Sequence, residues 1–277
     1  MDALKAFLRH PSGMAGLVLI LAVLVLAASA PFLYPESPWE MVATPFAPPG
    51  EDGMRLGADT LGRDVAAGIA HGARVSLLIG IASALAALVI GVTVGALAGY
   101  AGGGLDAALM RMTELFQTIP AFVLAILLVA TFTPSLATIV ATIGAVSWPP
   151  LARLTRAEFL RLRRREFVEA AICQGERAGR VVLGHVLPNT VSPILVTASL
   201  TVASAILIES ALSFLGLGDP NMMSWGFMVG SARSSIRQAW WASVFPGLAI
   251  LVTVLAINLF GEGLSDVLNP RIARRRG

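Results

Sequence analysis

Glu166 to Asn189 reads EFVEAAICQGERAGRVVLGHVLPN, the longest polar interruption between two strongly apolar blocks of the chain. It carries Glu169-Ala170-Ala171, then Gly175 four residues after the second alanine, and a closing Leu187-Pro188. A protein that only had to cross a bilayer would have no need of such a stretch, so its neighbours decide what it is for.

Both flanks are apolar over lengths that matter, since about 20 apolar residues in a helix cross the hydrocarbon core of a membrane. Working back from Glu166, Thr133 to Leu151 forms one such segment and ends in Trp148-Pro149-Pro150. Leu115 to Phe132 forms another, with Pro120 near its start as a kink or a first-turn proline. Val75 to Ala98 and Met14 to Leu33 carry no charge at all. Working forward, Val191 to Leu217 holds a single acid, Glu209, and Trp240 to Phe260 is the last apolar block. The reading is an all-α polytopic membrane protein of six spans. Its parts are a leader (1–13), a first span (14–33), an extramembrane loop (34–74), a transmembrane core (75–265) that includes the polar section 152–188, and a basic tail (266–277). A cleaved signal peptide competes for the first span, but its apolar region is shorter and no small-x-small site fits before Pro35.

Composition agrees. The chain is 56% apolar and 13% charged, with a mean hydropathy of +0.78, whereas a soluble domain is roughly a quarter charged. A pI near 9.7 could point to nucleic acid, yet the basic residues sit beside the apolar blocks, which is a topology signal. One cysteine, Cys173, excludes an internal disulfide.

Six spans put both termini on one side. Of the 20 Lys and Arg residues, only Arg55, Arg63, Arg74, Arg233 and Arg237 fall on the other side. The positive-inside rule therefore places the termini and the Glu166 stretch in the cytoplasm and the 34–74 loop outside. Within that loop Gly57 to Asp64 imitates a phosphate-binding loop, with glycines five apart. It lacks the chemistry: Arg63 and Asp64 stand where lysine and a hydroxyl are needed, and no strand precedes it. Turns making an ordered cap are the better reading. Gly91, Gly95 and Gly99 share one helix face and allow close backbone approach, within the chain or across a subunit boundary.

Inside the polar section, Glu158 to Gln174 has helix-forming composition, with Leu160, Phe167 and Ala171 able to line one face. Gly175 can end that helix in a left-handed conformation. Glu176 to Gly184 can form a second short helix, and Pro188 suits the first turn of the next span. The result is a helix-turn-helix elbow on short connections. The bias towards cytoplasmic arginine accounts for Arg161, Arg163, Arg164 and Arg165, but not for the order of the other residues.

That order resembles a known family. Glu169-Ala170-Ala171, three residues, Gly175, nine residues and His185-Val186-Leu187-Pro188 look like the EAA loop of permease subunits of ATP-binding-cassette importers, with His185 where the motif has isoleucine. LGADTLGRD (Leu56 to Asp64), HGARVSLLIG, REFVEAA, ESALSFLGLG (Glu209 to Gly218), SWG (Ser224 to Gly226), FPGL and NPR (Asn269 to Arg271) occur in order. Together they resemble the six-span C-type subunit of the peptide/nickel (dipeptide and oligopeptide) permease family, from about Phe7 to Arg271.

The resemblance implies that the elbow is a coupling helix seated on one of two separate cytoplasmic ATPase subunits, with Glu169, Ala170, Ala171, Gly175, Leu187 and Pro188 as the coupling residues. It implies a second, related permease chain and an extracytoplasmic substrate-binding protein docking on the 34–74 loop, in the inner membrane of a bacterium or archaeon. ATP and magnesium would be held by the partners and no cofactor by this chain, which would not be an enzyme. Peptides are the expected cargo, with nickel or another small solute as the alternative.

Two polar residues in the spans remain. Glu209 lies 20 residues beyond Asn189, about 30 Å along a helix at roughly 1.5 Å per residue, so it falls towards the outer side. It is a candidate for structure or gating, and secondarily for the pathway. Asn258 is a candidate pathway residue or interhelical glue. His10, His71 and His185 are too dispersed for a metal site. An ion-coupled transporter would be expected to show repeats or broken charged helices at the midplane, and an intramembrane enzyme would need a catalytic pair; the spans offer neither.

Overall fold

A computed structural model describes residues 6–51 and 53–268. The basic tail with Arg274, Arg275 and Arg276, the Asn269-Pro270-Arg271 motif and the first five leader residues lie outside the described residues. Among the described residues the regular elements are all helices, joined by turns, with one isolated bridge between Ala58 and Asp64.

Helix α1 spans Pro11–Leu33, opened by His10, whose Nδ1 accepts from the Gly13 amide at 3.2 Å. Helix α2, Val65–Ala101, starts where the Asp64 carboxylate accepts from the Ala66 amide at 2.8 Å. Such side-chain acceptors satisfy amides that have no partner within the helix. Helices α3, Gly103–Thr118, and α4, Ala121–Thr131, meet at an 82° bend around Pro120. Helix α5 is Leu136–Arg163 and α6 is Glu166–Cys173. Helix α7 runs unbroken over Ala178–Phe214, α8 is the short Trp225–Ala232, and α9 is Trp241–Leu268. Among the described residues α1, α2, α7 and α9 are long and apolar enough to cross a bilayer, and the bent α3–α4 pair makes up to five.

Two helix ends within the bundle show how packing overrides the sequence expectation. Helix α2 begins ten residues before Val75 because Asp64 caps it, and its extra turns bury Val65, Ile69 and Ala73 against Met223, Trp225 and Met228. Helix α5 does not stop at Trp148-Pro149-Pro150. Each proline removes one ladder hydrogen bond, but Trp148, Pro149, Leu151 and Ala152 are buried, and tertiary packing carries the helix through to Arg163.

That packing is the glycine face of α2. A Cβ on Gly91 would lie 2.6 Å from Leu151 Cβ, one on Gly99 2.6 Å from Phe159 Cβ, and one on Gly95 would meet the Ala152 carbonyl oxygen. The Gly91-Gly95-Gly99 stripe is therefore filled by α5 of the same chain. At the same end of the bundle Arg156 clasps Asp106 of α3 through two hydrogen bonds of 2.5 and 2.7 Å. Helices α1 and α9 approach as closely at Gly13 and Gly263, and His10 Nε2 reaches Asp266 at 3.1 Å.

At the other end, the segment between α1 and α2 folds into turns. Asp59 Oδ1 accepts from the Leu61 and Arg63 amides at 2.8 and 2.9 Å. Trp241 donates its indole N–H to the Ala58 carbonyl at 3.0 Å, and the Arg63 guanidinium lies 4.9 Å over the Trp39 ring. The stretch that imitates a phosphate loop is thus spent on holding itself together against α9.

Candidate functional site

The elbow projects from the end of the bundle where α5 stops. Helix α5 ends at Arg163, Arg165 adopts an extended backbone, and α6 starts afresh at Glu166. This break resets the helical phase, so Leu160, Phe167 and Ala171 do not share a face. Instead Val168 and Ala171 are buried with Phe159, Leu162, Val181 and Val186, while Phe167 and Ile172 are exposed.

The turn itself explains the Ala-Ala-x-x-x-Gly spacing. Gly175 donates its amide to Ile172 O at 2.9 Å and Glu176 donates to Ala171 O at 3.2 Å, with Gly175 at φ +79°. This is the paired Schellman closure, which needs a left-handed residue one step beyond the helix cap. Ala171 supplies both a buried methyl and the carbonyl that the turn returns to, so nothing larger is accommodated without moving α6 off the bundle.

The second arm differs from the expectation of a separate helix over Glu176 to Gly184. Ala178–Arg180 passes through π-helical turns at Val181–Val186 and into the α-helical Leu187–Phe214. The cause is Pro188, which has no amide hydrogen and whose ring crowds the carbonyl four residues back. Widening the turn relieves this: the Leu187 amide bonds Val182 O, and Asn189 donates its side-chain amide to His185 O at 2.7 Å. Leu187 packs on the elbow core. His185 Nε2 contacts Glu176 Oε2 at 3.1 Å, bridging the two sides of the turn.

The elbow thus has one face packed on the bundle and one left exposed among the described residues. The free face shows Phe167, Ile172 and Leu183, with Glu169 and Ala170 among them. Phe167, Ile172 and the Glu176–His185 contact were not singled out as site features from the sequence; the signal available for the first two was that large apolar residues stand in a segment outside the spans. Arg163 donates to the Tyr100 carbonyl at 2.7 Å, so one arginine of the polar run has a local structural task.

Glu209 and Asn258 lie away from the elbow. Glu209 is 1% exposed near the far end of α7. Its Oε1 accepts from Ser213 Oγ at 2.8 Å and from Ser224 Oγ at 2.7 Å. Ser213 stands one turn further along the same helix and could have been paired with Glu209 from spacing alone; Ser224 could not. Asn258 is exposed on α9. The two are not brought together. His71 contacts Tyr34 O and His10 contacts Asp266, so the three histidines have separate surroundings.

Long apolar helices around glycine seams, with a polar elbow at one end, define a multi-pass membrane protein. The chain belongs to the family of binding-protein-dependent transport system inner membrane components, whose model matches residues 91–274. Residues 1–49 match the N-terminal transmembrane domain of oligopeptide transport permease C. It is 38% identical over 97% of its length to a di/tripeptide transport system permease protein of Pseudomonas aeruginosa, covering 91% of that protein. It is 37% identical to an oligopeptide transport system permease protein of Haemophilus influenzae, over 98% of this chain and 88% of the relative. The fold is similar to that of a chain in an inward-facing structure of the MetNI methionine ABC transporter, with a TM-score of 0.60 at 17% identity, over 76% of this chain and 96% of that one. The chain is a permease subunit, not an enzyme.

Proposed function

We propose that this chain is one half of the translocation pathway of an ATP-driven peptide importer, crossing the inner membrane six times with both termini in the cytoplasm. The observation that carries the coupling role is the elbow: a short helix closed by a left-handed glycine, packed on one face, with Phe167, Glu169 and Ile172 exposed on the other. A face of that shape is suited to a groove on a cytoplasmic ATPase. Glu169, Ala170, Ala171, Gly175, Leu187 and Pro188 act as the coupling unit, either by contact or by setting the turn. The partners are two ATPase subunits that hold ATP and magnesium, a second related permease chain, and an extracytoplasmic binding protein that docks on the turns between α1 and α2.

Peptide cargo is favoured by the relatives, which are named for di/tripeptide and oligopeptide transport. Asn258, exposed on α9, is a candidate for the pathway once the second permease is in place. The test is to purify the complex, reconstitute it with its binding protein, and follow uptake of labelled di- and oligopeptides with active and inactivated ATPase. ATP-dependent peptide uptake is expected. Uptake that persists with the dead ATPase would refute the importer reading, and a binding protein that captures metal and no peptide by mass spectrometry would refute the cargo.

A further inference from the structure

Glu209 is a buried acid with no ion pair among the described residues, and its hydrogen bonds all come from serines. One of these, Ser224, has a second task. It is the N-cap of α8, where its Oγ accepts from the Phe227 amide at 3.1 Å while donating to Glu209 at 2.7 Å. The carboxylate thereby fixes the start of α8 on α7. The two helices are in backbone contact beyond that point: a Cβ on Gly226 would lie 2.5 Å from Ser210 Cα, and one on Gly230 2.9 Å from Ser213 O. On its other side α8 is tied to α2, through the Trp225 amide to Ser76 Oγ at 3.1 Å and the Trp225 indole to Ile69 O at 2.9 Å.

Two further contacts give this latch a reach. Phe227 of α8 meets Trp39 edge-on, with centroids 5.3 Å apart, and Trp39 belongs to the turns between α1 and α2. In the other direction α7, a single helix of 37 residues over Ala178–Phe214, runs from Glu209 back to Ala178 in the elbow, a distance of about 47 Å at roughly 1.5 Å per residue. A continuous line of helix, hydrogen bond and ring contact therefore joins the elbow, α7, Glu209, Ser224, α8 and the Trp39 turns.

We propose that Glu209 is a positioning residue that makes α8 and the Trp39 turns move with α7, so that docking at one end of the bundle is felt at the elbow at the other. This rests on the importer reading given above. The close packing of Gly226 and Gly230 on α7 sets the two helices side by side; the Glu209–Ser224 bond adds a directional tie at the start of α8. The role needs an acceptor oxygen at Oε1, not a charge. Glutamine supplies that oxygen, and its amide N–H can donate to Ser210 Oγ, which itself donates to Ile206 O at 2.8 Å.

The test uses the complete complex of both permeases and both ATPases in lipid nanodiscs, and compares basal ATP hydrolysis with hydrolysis stimulated by peptide-loaded binding protein. Glu209→Leu and Ser224→Ala are expected to assemble and to keep basal hydrolysis, because the elbow is untouched, while losing most of the stimulation. Glu209→Gln is expected to retain stimulation within about twofold. A role confined to folding would lower assembly and basal hydrolysis together and leave the stimulation ratio unchanged, which overturns the proposal. Loss of stimulation in an assembled Glu209→Gln complex also overturns it, since the charge would then be the active feature. Should Glu209→Leu fail to assemble, Ser224→Ala, which removes a single hydroxyl, decides. A wild-type complex that shows no stimulation would instead count against the importer reading itself.

Discussion

Replacing Gly175 separates two reasons why a glycine could be required in the elbow. Gly175 has φ +79°, a region that costs an L-residue about 1–2 kcal/mol and a β-branched one more. A Cβ at this position would find nothing within 4 Å among the described residues, so the intramolecular cost they impose is conformational. A penalty of about 1–2 kcal/mol lowers the population of the observed turn by a factor of roughly 5–30. The turn returns Glu176 and Gly175 to the Ala171 and Ile172 carbonyls, so its loss loosens α6 against α7. Gly175→Val should therefore insert normally but lose ATP-driven uptake by roughly the same factor, while Gly175→Asn, which tolerates the left-handed region, should stay within about threefold of wild type. The assay is uptake of a labelled dipeptide into proteoliposomes at matched amounts of complex. Wild-type uptake by the valine variant would refute the reasoning. Equal loss in both variants would refute it too, because the restriction would then come from a partner's surface against position 175.

Other substitutions have worked outcomes. Gly95→Leu drives a side chain into the Ala152 carbonyl and to within 2.7 Å of Thr155 Cβ; overpacking costs about 1–3 kcal/mol or more, so the unfolding temperature in detergent should drop, whereas Gly104→Ala, with open space around it, should not lower it. Arg156→Met breaks the clasp on Asp106, and because a third of the arginine side chain is exposed the loss should be only about 1 kcal/mol. Combining it with Asp106→Asn should cost less than the sum of the two singles in the same melting assay. His185→Ile removes a part-exposed contact to Glu176 worth less than about 1 kcal/mol, so uptake should be unchanged; a tenfold loss would show that the histidine acts directly at the coupling face.

Residue type made some of this structure legible and hid the rest. Apolar length located the long helices, since α1, α2, α7 and α9 are each long and apolar enough by themselves. The spacing from Ala171 to Gly175 gave the turn, because a helix closure of this kind is local and its hydrogen bonds span only a few residues. Helix ends were less legible where packing outweighs local preference. Pro149 and Pro150 read as a stop, yet α5 continues because its buried face fits the α2 glycines. Val65 to Arg74 read as loop, yet it is the first turns of α2, buried under Trp225. The π-helical turns before Pro188 follow from a proline whose effect on the preceding carbonyl is local, but whether the chain would break or widen there was not written in the motif.

The sequence by itself determined that this chain is an all-helical membrane protein with a glycine-closed polar elbow, because apolar length, cap chemistry and the need for a left-handed residue all act over a few neighbours. Only the tertiary structure decided which partners the buried polar groups have. From the sequence Glu209 was a candidate for structure or gating and secondarily for the pathway; folding brings Ser224, fifteen residues away and on another helix, to within 2.7 Å of it. The Gly91-Gly95-Gly99 face likewise gave no partner until α5 filled it. Contacts of this kind depend on which helices become neighbours, and that is set by the summed fit of many side chains, a quantity no single motif contains.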